Sequence, residues 1–436
     1  MMMNRRDMMQ SGAAASALMM LARLGTARAQ AATTSAEDVR LTALFDAMMK
    51  QTLDRSPETV TALGLDKGAR IAAKSRLDDR SLAAWEGDKK QTALWLARLR
   101  AVDVSKLTGL NRWNHASVLY STQIQDDIYR DFATVGTPYA VTQLTGCYQS
   151  VPDFLDSQHT IETAADATAY LARLGAFATA LDQESEQVHH DVALGVVPPD
   201  FILTKALIQL RALRDAPADQ ANLVQSLVRR TKAKGIAGDW QAKAGAIYTT
   251  RVQPALTRQI DLLAGLQAGA VHDAGVARLP KGPQIYKTML EYYTTSTMSP
   301  EEIHRAGLDL ITQQSAQIDA ILKTQGLSQG SVGQRLRALF DDPQYRYPND
   351  DPGKEKLIAD LNKLVVKMQA RLPAWFGALP KTPLTIRRVP KATEAGAPGG
   401  YYMSGSLDGK RPGAYYINMR DTAEVPRWTL PTLTYH

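Results

Sequence analysis

At 436 residues, 22% of them charged and 44% hydrophobic, the chain is long enough to bury a large core, and its single cysteine, Cys147, excludes an internal disulfide. The formal net charge of +7 overstates its basicity, because Arg5, Arg6, Arg23 and Arg28 against Asp7 place +3 in the first 29 residues and leave +4 for the rest. No Arg/Lys block interleaved with aromatics occurs, which argues against nucleic acid as a partner.

Residues 1–29 have the form of an export signal. Arg5 and Arg6 are adjacent, Ser11 to Leu24 is an apolar stretch shorter than a membrane span, and Ala27-Arg28-Ala29 has the small-x-small pattern of a cleavage site. The arginine pair points to the twin-arginine export machinery, which leaves no anchor behind. Asn4 stands where Ser or Thr is usual, and Met8-Met9 replace the commoner Phe-Leu, so the general secretory route is the alternative. Cleavage is expected near Ala29, giving a periplasmic or secreted protein with no stable membrane anchor. No other segment approaches the ~20 apolar residues that a membrane span requires.

The remaining 30–436 are expected to form one mostly helical domain, its helical part spanning 37–379. From Leu41 to about Met368 the apolar residues recur at helical spacing. Tyr170, Leu171, Leu174, Phe177, Leu181 and Val188 mark one stripe, and Leu357, Ile358, Leu361, Leu364, Val365, Met368 and Leu372 another. Ser299-Pro300-Glu301-Glu302 combines a cap, a first-turn proline and a capping-box glutamate, predicting a helix over Pro300 to Lys323. Pro and Gly clusters put loops at 195–199, 275–283, 341–353 and 391–400. Beyond Pro380 short runs rich in Tyr, Ile and Val (Leu384 to Val389, Tyr401 to Met403, Ala414 to Asn418) predict a small antiparallel sheet over 384–418. Residues 429–436 begin another helix, too short to persist unless something packs on it.

None of the seven histidines is followed by Glu, so a His-Glu-x-x-His zinc helix is absent. Two Glu-x-x-His pairs, Glu186 to His189 and Glu301 to His304, have the spacing used in di-metal bundles. Glu301 is better explained by the dipole at a helix start, and His189-His190 by the dipole at a helix end. No Gly-x-Ser-x-Gly elbow and no phosphate-binding Gly-Lys loop occurs, and nothing beside Cys147 marks it as activated.

Several strings together resemble a known family: Gln143-Leu144-Thr145-Gly146, Tyr170-Leu171-Ala172-Arg173-Leu174, Gly275-Val276-Ala277-Arg278-Leu279-Pro280 with Gly282 and Tyr286, and Thr294-Thr295 before Pro300-Glu301-Glu302-Ile303-His304. Tyr401-Tyr402, Arg411-Pro412-Gly413 with Tyr415 to Asn418, and Leu433-Thr434-Tyr435-His436 complete the series. In this order they resemble the bacterial domain of unknown function 885 family, whose members are similar to zinc metallopeptidases of the gluzincin type. The resemblance implies a mainly α, helical zincin-like fold and hydrolysis of peptide amides by zinc-bound water. In that family the last string continues His-Glu-x-x-Pro-Gly-His-His, and His436 matches its first histidine.

By this resemblance His436 is a metal ligand, and Tyr401, Tyr402, Tyr415, Tyr416 and Asn418 bind a peptide substrate, with 414–418 as a peptide-pairing edge strand. The C-terminal part is then missing, so this chain is expected to be inactive and not to retain zinc. The competing reading is a non-catalytic periplasmic peptide-binding or scaffold protein.

Overall fold

The structure, a computed structural model, describes residues 34–380, 382–389, 394 and 397–436. The export segment lies outside the described residues. The described chain forms two compact units: a helical unit of residues 34–288 with Ser406–Arg411, and a sheet-bearing unit of Met289–Gly405 with Pro412–His436.

The helical unit contains α1 (Ala36–Arg55), α2 (Pro57–Ala62), α3 (Leu82–Arg100), α4 (Asn111–Phe132), α5 (Cys147–Ser157), α6 (Ala164–Ala193), α7 (Asp200–Asp215), α8 (Asn222–Ala233), α9 (Trp240–Ile247), α10 (Gln253–Gln267) and the start of α11 (Gly282–Thr294). Its centre is α6. Thr163 and Asp166 close a capping box at the N-terminus, and the stripe of Tyr170, Leu174, Phe177, Leu181 and Val188 is buried against α5, α8 and α10. Each such side chain contributes about 1.5–3 kcal/mol on removal from water. α6 runs past the expected Val188 to Ala193, because Asp191 accepts from the amides of Val135 and Gly136 at 2.8 and 2.7 Å and so ties the last turn down. Between α9 and α10 the chain makes one π turn, Tyr248–Val252. Pro254 at the start of α10 has no N–H to return to Thr250, and the wider turn accommodates that missing bond.

The sheet-bearing unit holds the rest of α11, then α12 (Pro300–Thr324), α13 (Val332–Asp341), α14 (Asp351–Gln369), β1 (Leu384–Arg388), β2 (Gly400–Met403), β3 (Gly413–Ile417) and α15 (Leu430–Tyr435). Ser299 and Glu302 form the predicted capping box. The sheet order is β1-β3-β2. β2 and β3 pair antiparallel, as expected, but β1 lies parallel to β3 with Ile386 opposite Tyr415. A sheet that is antiparallel throughout is therefore corrected to a mixed one. The physical reason is the long β1–β2 connection, which lets β1 join the far side of β3 instead of forming a hairpin with β2.

Alternation along β3 sends Tyr415 and Ile417 toward Leu357 and Leu361 of α14, with Tyr347, Met419, Val425 and Leu430 completing that core. The opposite face buries Ala414 and Tyr416 with Val389 and Met403. α15 has only six residues, and Leu430 and Leu433 rest on the first of these cores, which supplies the packing such a short helix needs.

Candidate peptide-binding edge

All five expected substrate residues sit on or beside β2 and β3, and the structure gives them different environments. Tyr416 is buried, and its ring stacks on Tyr401 across the β2/β3 pair, centroids 4.8 Å apart and planes within 9°. Tyr415 is buried on the α14 side, and burial pushes its phenol up while the Thr434 hydroxyl of α15 opposes that rise. Neither Tyr415 Oη nor Thr434 Oγ1 has a hydrogen-bond partner of good geometry among the described residues. Asn418 is used structurally: its Nδ2 donates to the carbonyls of Glu394 and Ala397 at 2.8 and 3.1 Å, and its Oδ1 accepts from Arg420 N at 3.0 Å. Tyr402 alone is half-exposed, at 50%. Its ring lies over Gly413, where an added Cβ would come within 2.6 Å of Tyr402 Oη.

One expectation is overturned by the strand order. The stretch 414–418 was expected to be an edge that pairs with peptide, but β3 is the central strand and is hydrogen-bonded on both sides. The edges are β1 and β2. Asn418 N donates to Gly399 O at 2.9 Å, which makes 399/418 a hydrogen-bonded pair of the antiparallel ladder. By alternation, 401/416 and 403/414 are hydrogen-bonded pairs too, so the amides and carbonyls of Gly400 and Tyr402 point away from β3. No described residue bonds to them.

His436 closes α15, is exposed, and donates its amide to Thr432 O at 3.1 Å. A catalytic zinc takes three protein ligands and a water. Among the described residues no group of three or more His, Cys, Asp or Glu could hold a metal. The described donors therefore do not make up a zinc centre around His436.

The remaining histidines have structural or surface settings. His115 Nε2 meets Leu99 O at 2.9 Å in the core, His190 pairs with Asp191 at 3.0 Å and lies edge-on to Trp85, and His272 pairs with Asp200 at 2.9 Å on the surface. His189 and His304 are no closer to forming a di-metal set, since no such group exists among the described residues.

His159 belongs to a buried cluster that the sequence did not disclose. Arg173, fully buried, donates to Arg76 O (2.8 Å), His159 Nδ1 (2.8 Å), Thr61 Oγ1 (2.6 Å) and Ala73 O (2.9 Å). Burial and the facing guanidinium hold His159 down to about 3, so it is neutral and donates from Nε2 to Asp166 O at 3.0 Å. Another interior carboxylate, Glu184, further along α6, accepts from Cys147 N at 2.7 Å and caps α5 from outside. The cap must come from elsewhere because Gly146 holds the N-cap position with φ +117°, where side chains are strained. Burial and the Glu184 carboxylate push the Cys147 thiol well up, which makes it an inert core residue.

A family model described as "Bacterial protein of unknown function (DUF885)" matches residues 12–436. No curated protein matches the chain. Among solved structures, one described as a "putative lipoprotein" from Colwellia psychrerythraea is similar with a TM-score of 0.81 and 24% identity, over 92% of this chain and 71% of its own. At that identity the likeness speaks to the fold alone, a mainly helical one.

Proposed function

The chain belongs to the DUF885 family of bacterial proteins, and from that premise we propose that it binds an extended peptide by strand addition along the outer edge of β2, which no other described strand occupies. The observation that carries this reading is the outward-pointing main chain of Gly400 and Tyr402, flanked by the half-exposed Tyr402 ring. An added strand gains affinity from main-chain hydrogen bonds and selectivity from the side chains beside it. Tyr401, stacked on Tyr416, stiffens the strand from the opposite face. Tyr415 and Asn418 support it from below, one through the α14 core and the other by holding the loop that leads into β2.

Export by the twin-arginine route to the periplasm or beyond is part of the same proposal and rests on Arg5, Arg6 and Ala27 to Ala29. No helix of the described residues is long and apolar enough to cross a membrane. Zinc-dependent peptide hydrolysis, with His436 as one ligand, stays the reading that the family resemblance suggests for a chain with a complete donor set. Peptide binding does not depend on it.

Fluorescence anisotropy with a panel of labelled, unstructured peptides tests the proposal. Tyr402→Pro removes an outward N–H that the sheet itself does not use, a substitution that edge strands tolerate. It should weaken binding about tenfold beyond Tyr402→Ala, in keeping with the loss of one net hydrogen bond worth ~1 kcal/mol or slightly more. Equal affinities for the Pro and Ala variants would remove β2 as the docking edge. Metal analysis of the same preparation should show less than stoichiometric zinc, and one tightly held zinc per chain would restore the peptidase reading.

A further inference from the structure

Immediately after α14 the chain runs Leu-Pro-Ala-Trp-Phe-Gly-Ala-Leu-Pro from Leu372 to Pro380. It carries no charge, and every residue from Pro373 to Pro380 is exposed. Trp375 is 81% exposed and Phe376 56%. Large aromatics left in water at this density are costly unless a partner covers them, and an exposed apolar patch marks an interaction surface. A core defect does not explain the turn, because the α14 positions that face the sheet, Leu357 and Leu361, are fully buried.

The approach to the turn is basic. Lys363 and Lys367 lie four residues apart on one side of the last turns of α14, and Arg371 stands just past its end at Gln369, at the start of the turn. Lys363 is drawn to Asp360 at 3.0 Å, whereas Lys367 and Arg371 make no ion pair with any described residue. Unpaired cations beside an exposed Trp-Phe tip match a surface that is anionic outside and apolar beneath.

We propose that the 372–380 turn docks reversibly on an anionic phospholipid surface. Trp375 and Phe376 enter the boundary between headgroups and acyl chains, and Lys367 and Arg371 lie against the lipid phosphates. This docking is independent of peptide binding at β2, and it is peripheral, since the turn is far too short to span a bilayer.

Flotation with sealed vesicles of equimolar phosphatidylglycerol and phosphatidylcholine, against phosphatidylcholine alone, tests it on the full chain. At low salt, binding to the anionic vesicles should exceed that to the neutral ones about tenfold and fall as salt is added. Trp375→Ser with Phe376→Ser should lower binding about tenfold or more. Lys367→Glu with Arg371→Glu should abolish the preference for anionic lipid. Trp113→Ser, which alters another exposed tryptophan in the helical unit, should change nothing. All these positions are exposed, and circular dichroism melts serve to confirm that the variants fold. Failure of the unaltered chain to float, or flotation of the Trp375/Phe376 variant at the unaltered level, overturns the proposal. So does sedimentation showing a dimer that this variant converts to monomer without any vesicle binding, which would make a second copy the occupant.

Discussion

Replacing Arg173 by Met keeps most of the side-chain volume and removes the charge and all four hydrogen bonds that it donates, to Arg76 O, His159 Nδ1, Thr61 Oγ1 and Ala73 O. Thr61 retains a partner, because its hydroxyl donates to Asp66 Oδ2 at 3.1 Å. Two backbone carbonyls and one imidazole nitrogen would be left without this donor, in a site with no exposed surface at Arg173 or His159. Each unsatisfied buried group costs about 1–3 kcal/mol, and neighbouring losses do not add in full. The guanidinium also lies 4.7 Å from the Phe154 ring centroid, a contact that methionine replaces only in part. Burial lowers Arg173 to about 10, so the residue is still charged at neutral pH and part of the loss is offset by removing a buried cation. The net expectation is a destabilisation of about 3–5 kcal/mol in the helical unit. Arg173→Lys should recover less than half of that, since one ammonium group cannot span the same acceptors. Urea titration followed by circular dichroism and tryptophan fluorescence measures it. A loss below about 1 kcal/mol for the Met variant would refute the idea that this hub organises α2, the 3-10 segment Gly68–Ser75 and α6.

A second expectation concerns pH. Burial and the adjacent Glu58 carboxylate push Asp78 up from 3.8 to about 7, while Glu58 is held low, against its own burial, by the Arg80 guanidinium paired with it at 2.9 Å. Between those two values for Asp78 the folded state binds the proton that the unfolded chain has lost, so its contribution to stability falls as pH rises through the window. Asp78→Asn mimics the protonated form and still accepts from Glu58 N, so its urea midpoint should vary less with pH there, and an unchanged slope would count against the assignment. In the sheet-bearing unit, Leu430→Ala opens a cavity beside Leu357 and Leu361 and should cost about 2–4 kcal/mol. Because α15 is too short to hold itself together, its amides should lose hydrogen-exchange protection before the rest of that unit, and retained protection would show that Leu430 does not pin it.

Helices were legible where local signals agreed with the stripe. Ser299, Pro300 and Glu302 located α12 to within one residue at its C-terminus, and the Tyr170–Val188 stripe located the core face of α6. The three strands were legible for the same reason, from Tyr, Ile and Val runs between Gly and Pro. Their order was not, because side-chain patterning reports which face of a strand is buried and carries no record of its neighbours. That is why 414–418 was expected at an edge and lies at the centre. Arg173 and Glu184 escaped notice on different grounds: charged residues belong at the surface by default, and the groups that hold these two are far away in sequence. The one available signal was Gly146, an N-cap position with no side chain to cap α5, which implied a distant acceptor.

The crossing of β1 to the far side of β3 also has a kinetic consequence. The paired residues of β2 and β3 lie 11 to 17 apart in sequence, whereas those of β1 and β3 lie 29 apart, so β1 must be brought back across the whole β2–β3 segment before it finds its partner. Until it arrives, the β3 amides that face β1 are unpaired on a strand whose every residue is buried in the finished fold. During refolding this is the stretch most exposed to pairing with another copy of itself. Aggregation on rapid dilution from denaturant should therefore track the rate at which β1 docks, and substitutions that slow that step should lower the yield of native protein while leaving the stability of whatever folds unchanged.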